Sequence, residues 1–271
     1  VQSHRTSLWR SAARPTARVR SDATERPGMD LTTALDARDA TVCVVGAGGK
    51  KSTLFALAER LDRPVVTVTV RIPIFDDRVA AVRVTEDPVA AIDGAGDGDW
   101  PLGLVSERER SDRYLGYDAD TVAEVADAAP GATLVKADGA RLREFKAPAD
   151  HEPQIPANAD VVAPVASAHA VGEPLTEELV HRPEEVAAIT GREVGDEIRP
   201  ADVATVLASP AGGLKGVPRG ATAIPIVNKV DDEADATAAR AVAGEILMRA
   251  NVPRVLLTRL TAEDPVVEVV E

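Results

Sequence analysis

A glycine-rich segment with two lysines lies between an apolar run, residues 42–45, and a helical pattern that begins at Leu54. A strand, a glycine loop and a helix in this order form the arrangement in which backbone N–H groups and a helix N-terminus bind phosphate. The segment therefore predicts a phosphate-binding loop at the edge of an α/β sheet. It reads Gly46, Ala47, Gly48, Gly49, Lys50, Lys51, Ser52, Thr53.

The order of side chains in this loop departs from a standard Walker A motif. Only Ala47 and Gly48 separate the flanking glycines, and a second lysine stands where a Mg²⁺-binding hydroxyl is usual. Lys50 is the candidate for the β- and γ-phosphates. Either Ser52 or Thr53 then holds Mg²⁺ with the loop shifted by one residue, or Lys51 is a second phosphate contact. The structural alternative is a plain glycine turn with exposed lysines.

A second motif, Asn228-Lys229-Val230-Asp231, follows the apolar segment 224–227. The spacing Asn-Lys-x-Asp is found in GTP-binding proteins, where the carboxylate accepts hydrogen bonds from guanine N1–H and the exocyclic amine. Adenine lacks both donors, so the motif predicts a preference for guanine. The same residues would also make a turn and a cap for the helical pattern at 233–250.

Charged residues follow a third apolar segment, 133–137, which ends at Asp138. An acidic residue at the carboxyl end of a parallel strand faces the ligand crevice, so Asp138 is a candidate Mg²⁺ ligand, directly or through water. Arg141, Lys146, His151 and Glu152 follow it closely. A charged surface loop is the alternative interpretation.

Two further segments supply candidates of lower specificity. His181 opens the sequence His-Arg-Pro-Glu-Glu, which is also typical of a capped helix start. Lys215 lies in a glycine-rich segment, 212–218, with the flexibility of a lid, and is a candidate phosphate contact. The four histidines and the one cysteine, Cys43, show no zinc-binding spacing.

Composition limits the partners and the compartment. The chain has 271 residues and a net charge of −13, with 44 acidic and 31 basic residues. Only six of the basic residues are lysine. This acidity argues against nucleic acid as a partner and is typical of proteins from a high-salt cytoplasm, although GC-rich codon usage has a similar effect. A single cysteine and the lack of a long apolar stretch predict a cytoplasmic protein without a membrane span.

The first 28 residues differ from the rest, because they contain six arginines and only two acidic residues. We expect them to form an extension without stable structure, with Met29 as a candidate true start, and residues 29–271 to form a single domain. The alternative is a basic arm that binds nucleic acid or an acidic partner.

Strand and helix patterns alternate from residue 41 onward, which predicts an α/β fold of the P-loop NTPase type: a mostly parallel sheet with helices on both faces, in three layers. Residues 84–99 are predicted to form a loop. Strands are predicted at 41–45, 65–70, 100–105, 133–137, 161–165, 223–227, 255–260 and 266–270, and helices at 51–61, 120–129, 177–189, 200–207 and 233–250.

The motifs taken together resemble the YqeC family, whose members are described as accessory proteins of selenium-dependent molybdenum hydroxylases. The resemblance runs from about residue 40 to the C-terminus. It implies a P-loop nucleotide-binding fold and a role in the maturation of a molybdenum enzyme, with that enzyme or a cofactor-maturation protein as partner. Two features depart from many members: Lys51 replaces a hydroxyl residue, and a run of threonines before a basic residue is reduced to Thr67 and Thr69 before Val70 and Arg71. The motifs are residues 46–50, 136–140, 146–148, 151–156, 181–184, 212–216 and 228–231.

The resulting hypothesis is a GTP-binding protein with Mg²⁺ and slow, switch-like hydrolysis. In this hypothesis Lys50 and Mg²⁺, together with Arg141 or Lys215, stabilise the charge of the transition state. Asn228 and Asp231 select guanine. ATP remains an alternative because the glycine loop also resembles that of the Mur ligases. A kinase or ligase acting on a small molecule or pterin precursor, and a non-catalytic module ordered by nucleotide, are the other two hypotheses. The sequence does not predict an oligomeric state.

Overall fold

The computed structural model describes residues 29–271, and a ten-stranded sheet forms the centre of the fold. The predicted N-terminal extension, residues 1–28, lies outside the described residues. No helix of the described part combines the length and the apolar character that a membrane crossing requires.

The described chain forms short strands, most of them three to seven residues long. In chain order they are β1 (Thr41–Gly46), β2 (Val65–Val68), β3 (Ile72–Pro73), β4 (Ala81–Val84), β5 (Leu102–Val105), β6 (Glu107–Arg110), β7 (Arg113–Leu115), β8 (Thr133–Lys136), β9 (Phe145–Lys146), β10 (Val161–Ser167), β11 (Val180–His181), β12 (Thr222–Ala223), β13 (Ile226–Asn228), β14 (Val255–Thr258) and β15 (Val266–Val270).

The main sheet is parallel except at one edge. Its order is β15-β14-β13-β10-β1-β8-β2-β5-β4, with β12 paired to β10, and only β15 runs antiparallel to its neighbour. Strand β1 is central, with β8 and β10 at its sides. Because parallel strands end at one edge of a sheet, the segments after β2, β8, β1, β10, β13 and β14 meet there.

Seven α-helices connect and cover these strands within residues 29–271. They are α1 (Leu31–Ala34), α2 (Lys50–Ala58), α3 (Pro88–Asp93), α4 (Ala119–Ala128), α5 (Pro183–Thr190), α6 (Pro200–Leu207) and α7 (Glu233–Arg249).

The helices form one layer on each face of the sheet. Two consecutive residues of β1 show this, because their side chains point to opposite faces of the sheet. Val44 packs in one apolar cluster with Leu57 of α2, whereas Val45 packs in another with Val125 of α4. Helices α6 and α7 cover the same face of the sheet as α4, where they pack against β13 and β14. The predicted α/β architecture with three layers is therefore confirmed.

Several predicted boundaries differ from the structure for local reasons. Residues 84–99 are not one loop, because Asp87 caps α3 by accepting a hydrogen bond from the Ala90 amide at 3.0 Å and Ile92 is buried. The helix predicted at 177–189 begins only at Pro183, since residues 180–181 form a short strand and Arg182 adopts a left-handed conformation (φ 63°).

Two small sheets stand beside the main one, and the sequence did not predict them. Strands β3, β7 and β6 form an antiparallel sheet, and β9 pairs with β11. Both lie near the edge at which the parallel strands end, because β3 follows β2 and β9 follows β8 in the chain. They form walls around the carboxyl edge of the main sheet.

Candidate functional site

The carboxyl edge of the sheet opens into a cleft of about 1210 Å³. The glycine loop after β1 lines its centre, Thr69 after β2 lines one side, and Asn228 at the end of β13 lines the other. This position is where ligands bind in open α/β sheets. The tertiary structure thus brings together the glycine loop, the segment after Asp138 and the Asn-Lys-x-Asp motif.

Two glycines of the loop are required by close approaches of other backbone or side-chain atoms. Gly46 has φ +92°, and a Cβ there would lie 2.2 Å from the carbonyl oxygen of Val165. A Cβ at Gly49 would lie 2.4 Å from Nδ2 of Asn228. Any larger residue at these positions would displace β10 or Asn228 from the loop.

Four consecutive amides at the start of α2 are free to bind a ligand. Those of Ala47 and Gly48 donate to the carbonyls of Val165 and Arg143, each at 2.9 Å. In contrast, the amides of residues 49–52 have no acceptor within the described chain, and all four residues line the cleft. Free N–H groups and the helix dipole make this a site for an anion.

Lys50 does not extend into solvent but turns back toward the sheet. Its ammonium lies 2.9 Å from Oδ1 of Asp138 and donates to the Gly46 carbonyl. Burial lowers the pKa of Lys50, and the charge of Asp138 opposes that shift. The lysine is held at the base of the glycine loop, next to the free amides.

Asp138 is the centre of a buried ion cluster. Its Oδ2 accepts a hydrogen bond from the Gly46 amide at 2.9 Å and lies 2.9 Å from the ammonium of Lys146. The side chains of Lys50, Asp138 and Lys146 are 5 %, 2 % and 1 % exposed. Two ammonium groups therefore share the carboxylate of Asp138 at the base of the cleft.

Glu152 extends this cluster on the other side of Lys146. It lies 2.7 Å from Lys146 and 2.7 Å from Arg182, and its Oε1 accepts a hydrogen bond from the Gly139 amide at 3.1 Å. Burial acts to raise the pKa of Glu152, but Lys146, Gly139 and Arg182 outweigh it and lower the pKa to about 2. Burial, with help from Arg182 and Lys146, lowers the pKa of His181 to about 4.

The predicted Mg²⁺ ligands do not form a metal site in this arrangement. Ser52 lines the cleft, but Thr53 is fully buried and its hydroxyl donates to the Gly49 carbonyl at 3.2 Å. The two carboxylate oxygens of Asp138 face ammonium groups rather than open space. A divalent cation bound there would lie beside two positive charges, so we derive no step through Mg²⁺.

Asn228 connects the glycine loop to strand β14. Its Nδ2 donates to the Gly48 carbonyl at 2.8 Å, and its Oδ1 accepts from the hydroxyl of Thr258 at 3.1 Å and the amide of Leu260 at 3.3 Å. The side chain is buried, with both polar atoms engaged. In the structure Asn228 positions the loop, whereas the sequence pattern predicted a contact with a base.

Asp231 and Lys229 lie on the β13 side of the cleft, and each has a partner side chain beside it. The Asp231 carboxylate lies 3.2 Å from Nε2 of His169, which also lies 3.4 Å from Asp235. Lys229 pairs with Glu144 at 2.6 Å. His169, Asp231 and Asp235 have the composition of a metal-ligand set, but His169 and Asp231 are exposed, and the imidazole already lies close to both carboxylates.

The remaining predicted residues divide between the cleft and its surroundings. Lys51, Arg141 and His151 line the cleft. Lys215 does not, because its ammonium donates to the carbonyls of Ala149 at 2.7 Å and Asp150 at 3.3 Å. Lys215 therefore fastens the segment 149–150 rather than reaching the glycine loop.

The lining of the cleft is strongly basic in a chain whose net charge is −13. Only three carboxylates accompany its cations, and five of the cations have no carboxylate within 4.0 Å among the described residues. The lining cations are Lys50, Lys51, Arg71, Arg113, Lys136, Arg141, Arg143, Arg182, Lys229 and Arg259, and the unpaired ones are Lys51, Lys136, Arg141, Arg143 and Arg259. This concentration of charge favours an anionic ligand.

Sequence reasoning missed several cleft residues. Arg71 lies between β2 and β3, Arg113 opens β7, and Arg259 follows β14, so no single local pattern marks them. Lys136 had a signal: it is one of only six lysines and lies two residues before Asp138 in an apolar strand. Burial lowers its pKa to about 7, and the nearby charge of Lys50 adds to this shift.

Comparison with known proteins gives one family and one curated relative. The family described as YqeC protein matches residues 42–184, more than half of the chain. The uncharacterized protein YqeC of Escherichia coli (strain K12) is 29% identical over 197 residues, which cover 71% of this chain and 77% of that protein. No solved structure matches this chain. The match includes the glycine loop, the Asp138 cluster and the start of α5, and on this basis the chain belongs to the YqeC family.

Proposed function

We propose that this protein binds a guanine nucleotide in the cleft and that the bound nucleotide acts as a switch. The observation that carries the proposal is the start of α2, where four amides without an acceptor in the described chain line the cleft beside Lys50. A helix N-terminus with a fixed lysine is suited to a chain of phosphates.

Charge supports the assignment of the phosphates to this end of the helix. Lys51 lines the cleft at the first turn of α2 and has no carboxylate partner in the described chain, and Arg141 faces the same cleft from the loop after Asp138. The polyphosphate of a nucleotide would supply the negative charge that these cations lack.

The guanine part of the proposal depends on Asp231. It lines the cleft on the β13 side, about two strand spacings or about 10 Å from β1, which suits a base attached to phosphates at the glycine loop. The carboxylate would exchange His169 for the N1–H and amine donors of guanine. Adenine would leave the carboxylate without those donors, and ATP would therefore bind more weakly.

Hydrolysis would be slow, because each carboxylate that lines the cleft is already paired within the described chain. Glu144 pairs with Lys229, Glu152 with Lys146 and Arg182, and Asp231 with His169. The lack of a free general base suits an intrinsic rate on the order of 10⁻⁴ to 10⁻³ s⁻¹, as in GTPases without an activating partner. Lys50 and Arg141 would stabilise the developing charge.

We propose that this switch acts in the cytoplasm during the maturation of a molybdenum hydroxylase. The client enzyme belongs to the selenium-dependent or to the selenium-independent hydroxylases. Membership of the YqeC family supports this role, and so does the ordered set of motifs that this chain shares with that family. The nucleotide state would control delivery or insertion of the cofactor through contact with the enzyme or a maturation protein. Genes for molybdenum hydroxylase subunits next to this gene would support the role, and co-purification of such an enzyme only with GTP present would test it.

Calorimetric titration with GTP and ATP, at high salt and with Mg²⁺, tests the nucleotide assignment. We expect GTP to bind at least about tenfold more tightly than ATP. Equal affinities would contradict the guanine assignment, and no binding of either nucleotide would contradict the proposal as a whole.

Phosphate release separates a switch from a transferase. We expect slow release of phosphate from GTP without any added substrate. Transfer that occurs only with a small-molecule acceptor would instead indicate a kinase or ligase, and binding without turnover would indicate a module that nucleotide only orders.

A further inference from the structure

The cleft extends beyond the part that the proposed nucleotide would fill. Strand β1 carries the glycine loop, with β10, β13 and β14 on one side and β8 and β2 on the other. The proposed phosphate and base contacts lie at β1 and β13, and a strand spacing of about 4.8 Å places β2 about 10 Å from β1 in the opposite direction. The cleft volume of about 1210 Å³ is above the range of about 300–1000 Å³ typical of pockets for one small ligand.

Lys136 supplies a buried positive charge at this far side. It is 6 % exposed, lines the cleft, and donates to two carbonyl oxygens, those of Asp138 at 2.7 Å and Arg71 at 3.2 Å. No carboxylate lies within 4.0 Å of its ammonium in the described chain. Burial lowers the pKa of Lys136 to about 7, so the free protein keeps this ammonium only in part near neutral pH, and an anionic ligand beside it would stabilise the charged form.

Arg113 faces the same space from strand β7 of the small sheet. It lies opposite Pro73 in the register with β3 and lines the cleft. Its Nε is buried without an acceptor among the described residues, and its nearest carboxylate, the exposed Asp112, is 3.8 Å away. The guanidinium thus has donors left over for a bidentate contact with an oxyanion.

Backbone contacts connect the two cations: Lys136 donates to the carbonyl of Arg71, which directly precedes β3, and β3 pairs with the strand that carries Arg113. Thr69 donates from its amide to the carbonyl of Lys136 at 3.1 Å and from its hydroxyl to the carbonyl of Gln154 at 2.9 Å. Leu115, two residues after Arg113, adds an apolar wall. The two cations are therefore held on ordered strands rather than on free loops.

We propose that this part of the cleft is a second ligand site, the β2-side subsite, which binds the phosphate group of a phosphorylated small molecule while the nucleotide occupies the β13 side. The subsite consists of Thr69, Arg113, Leu115 and Lys136. A phosphate monoester carries nearly two negative charges, which match the ammonium and the guanidinium. The division of the cleft rests on the proposed function, since the nucleotide assignment decides which half is left free.

Titration of inorganic phosphate followed by calorimetry tests the subsite. The titrations use the full chain saturated with a non-hydrolysable GTP analogue, which fills the nucleotide half. We expect one remaining phosphate site, with Arg113→Gln weakening it about tenfold. Arg110→Gln is the matched control, because Arg110 is the register partner of Arg113 and lies near the same Asp112 but does not line the cleft. It should leave phosphate affinity unchanged.

The absence of a phosphate site in the analogue-saturated protein would overturn the inference, and so would equal phosphate affinity in the wild type and Arg113→Gln. Lys136→Met is a second variant with the same expected loss, and unfolding curves show whether each variant is folded. If the GTP analogue itself does not bind, the proposed function fails independently. The subsite is then decided by phosphate titration of the wild type and Arg113→Gln without nucleotide.

Discussion

The carboxylate of Asp138 lies 2.9 Å from the ammonium of Lys50, and neither side chain is more than 5 % exposed. Lys146 approaches the other oxygen of Asp138 at the same distance of 2.9 Å. A buried carboxylate with two buried ammonium partners is a stable counter-ion only while its neighbours remain in place. The relationship fixes Lys50 beneath the glycine loop and connects the stability of the fold to the candidate site.

Replacement of Lys50 should affect both folding and nucleotide binding, whereas replacement of Lys51 should affect neither strongly. Lys50→Ala removes one partner of buried Asp138, so we expect a loss of about 3 kcal/mol in the free energy of unfolding and no measurable nucleotide binding. Lys51→Thr should bind nucleotide within about threefold of the wild type. Urea unfolding and calorimetric titration measure the two effects, and the reverse result would indicate a glycine loop in a shifted register.

Asn228→Ala should loosen the glycine loop. The change leaves the Gly48 carbonyl and the Leu260 amide without their partner, which should cost about 2 kcal/mol in unfolding free energy. Asn158→Ala is the control, since Asn158 donates to Ala123 and Asp127 outside the cleft. Only the Asn228 variant should also weaken nucleotide binding, as measured by calorimetry, and equal nucleotide affinity in both variants would contradict a loop-positioning role.

Asp231→Ala should abolish the preference for GTP over ATP. Its neighbour His169 also lies beside Asp235, and Asp235→Asn is the control, because it removes that carboxylate, keeps an oxygen to accept from the Asp231 amide, and changes no residue that lines the cleft. We expect the ratio of GTP to ATP affinity to fall about tenfold or more in the first variant and to remain unchanged in the second. An unchanged ratio in Asp231→Ala would contradict guanine recognition by this carboxylate.

Nucleotide binding should depend only weakly on Mg²⁺. Because Asp138 already faces two ammonium groups, we expect addition of EDTA to change nucleotide affinity by less than about tenfold. Titrations with Mg²⁺ and with EDTA measure the difference. A much larger loss would mean that Asp138 exchanges an ammonium partner for the metal when the nucleotide binds.

The stability of the fold should decrease on acidification in two stages. The pKa of His181 is lowered to about 4 from 6.5, so the unfolded chain binds a proton more readily and stability falls between pH 6.5 and 4. The pKa of Glu152 is lowered to about 2 from 4.5, so its contribution is present above pH 4.5 and lost as the pH falls toward 2. Each group adds a slope of up to about 1.4 kcal/mol per pH unit.

His181→Gln separates the two stages. The variant should lose less stability than the wild type between pH 6.5 and 4.5, because it lacks the group that titrates there. Below pH 4, where His181 is protonated in both the folded and the unfolded chain, both proteins should lose the contribution of Glu152 in parallel. Urea unfolding at a series of pH values measures this, and identical curves above pH 4.5 would contradict the assignment to His181.

Local patterns were sufficient for the central part of the fold. Strand β1 and helix α2 are evident because a continuous apolar run and a helical spacing lie on either side of a glycine cluster, and helix α6 has the predicted bounds, 200–207. The small sheets escaped prediction, since strands of two to four residues are too short for a hydrophobic period to appear. Helix α3 was missed because its cap and proline lie in a segment dominated by glycine and aspartate.

The sequence by itself determined an α/β sheet with a glycine loop, an acidic residue and an Asn-Lys-x-Asp motif after separate strands, because these depend on local periodicity and on the fact that parallel strands end at one edge. Only the tertiary structure decided what these residues contact. It paired Lys50 and Lys146 with Asp138, fixed Asn228 to the glycine loop, and brought Lys136 and Arg113 to one side of the cleft. Contacts between residues far apart in sequence depend on strand order and burial, and no local spacing encodes either of them.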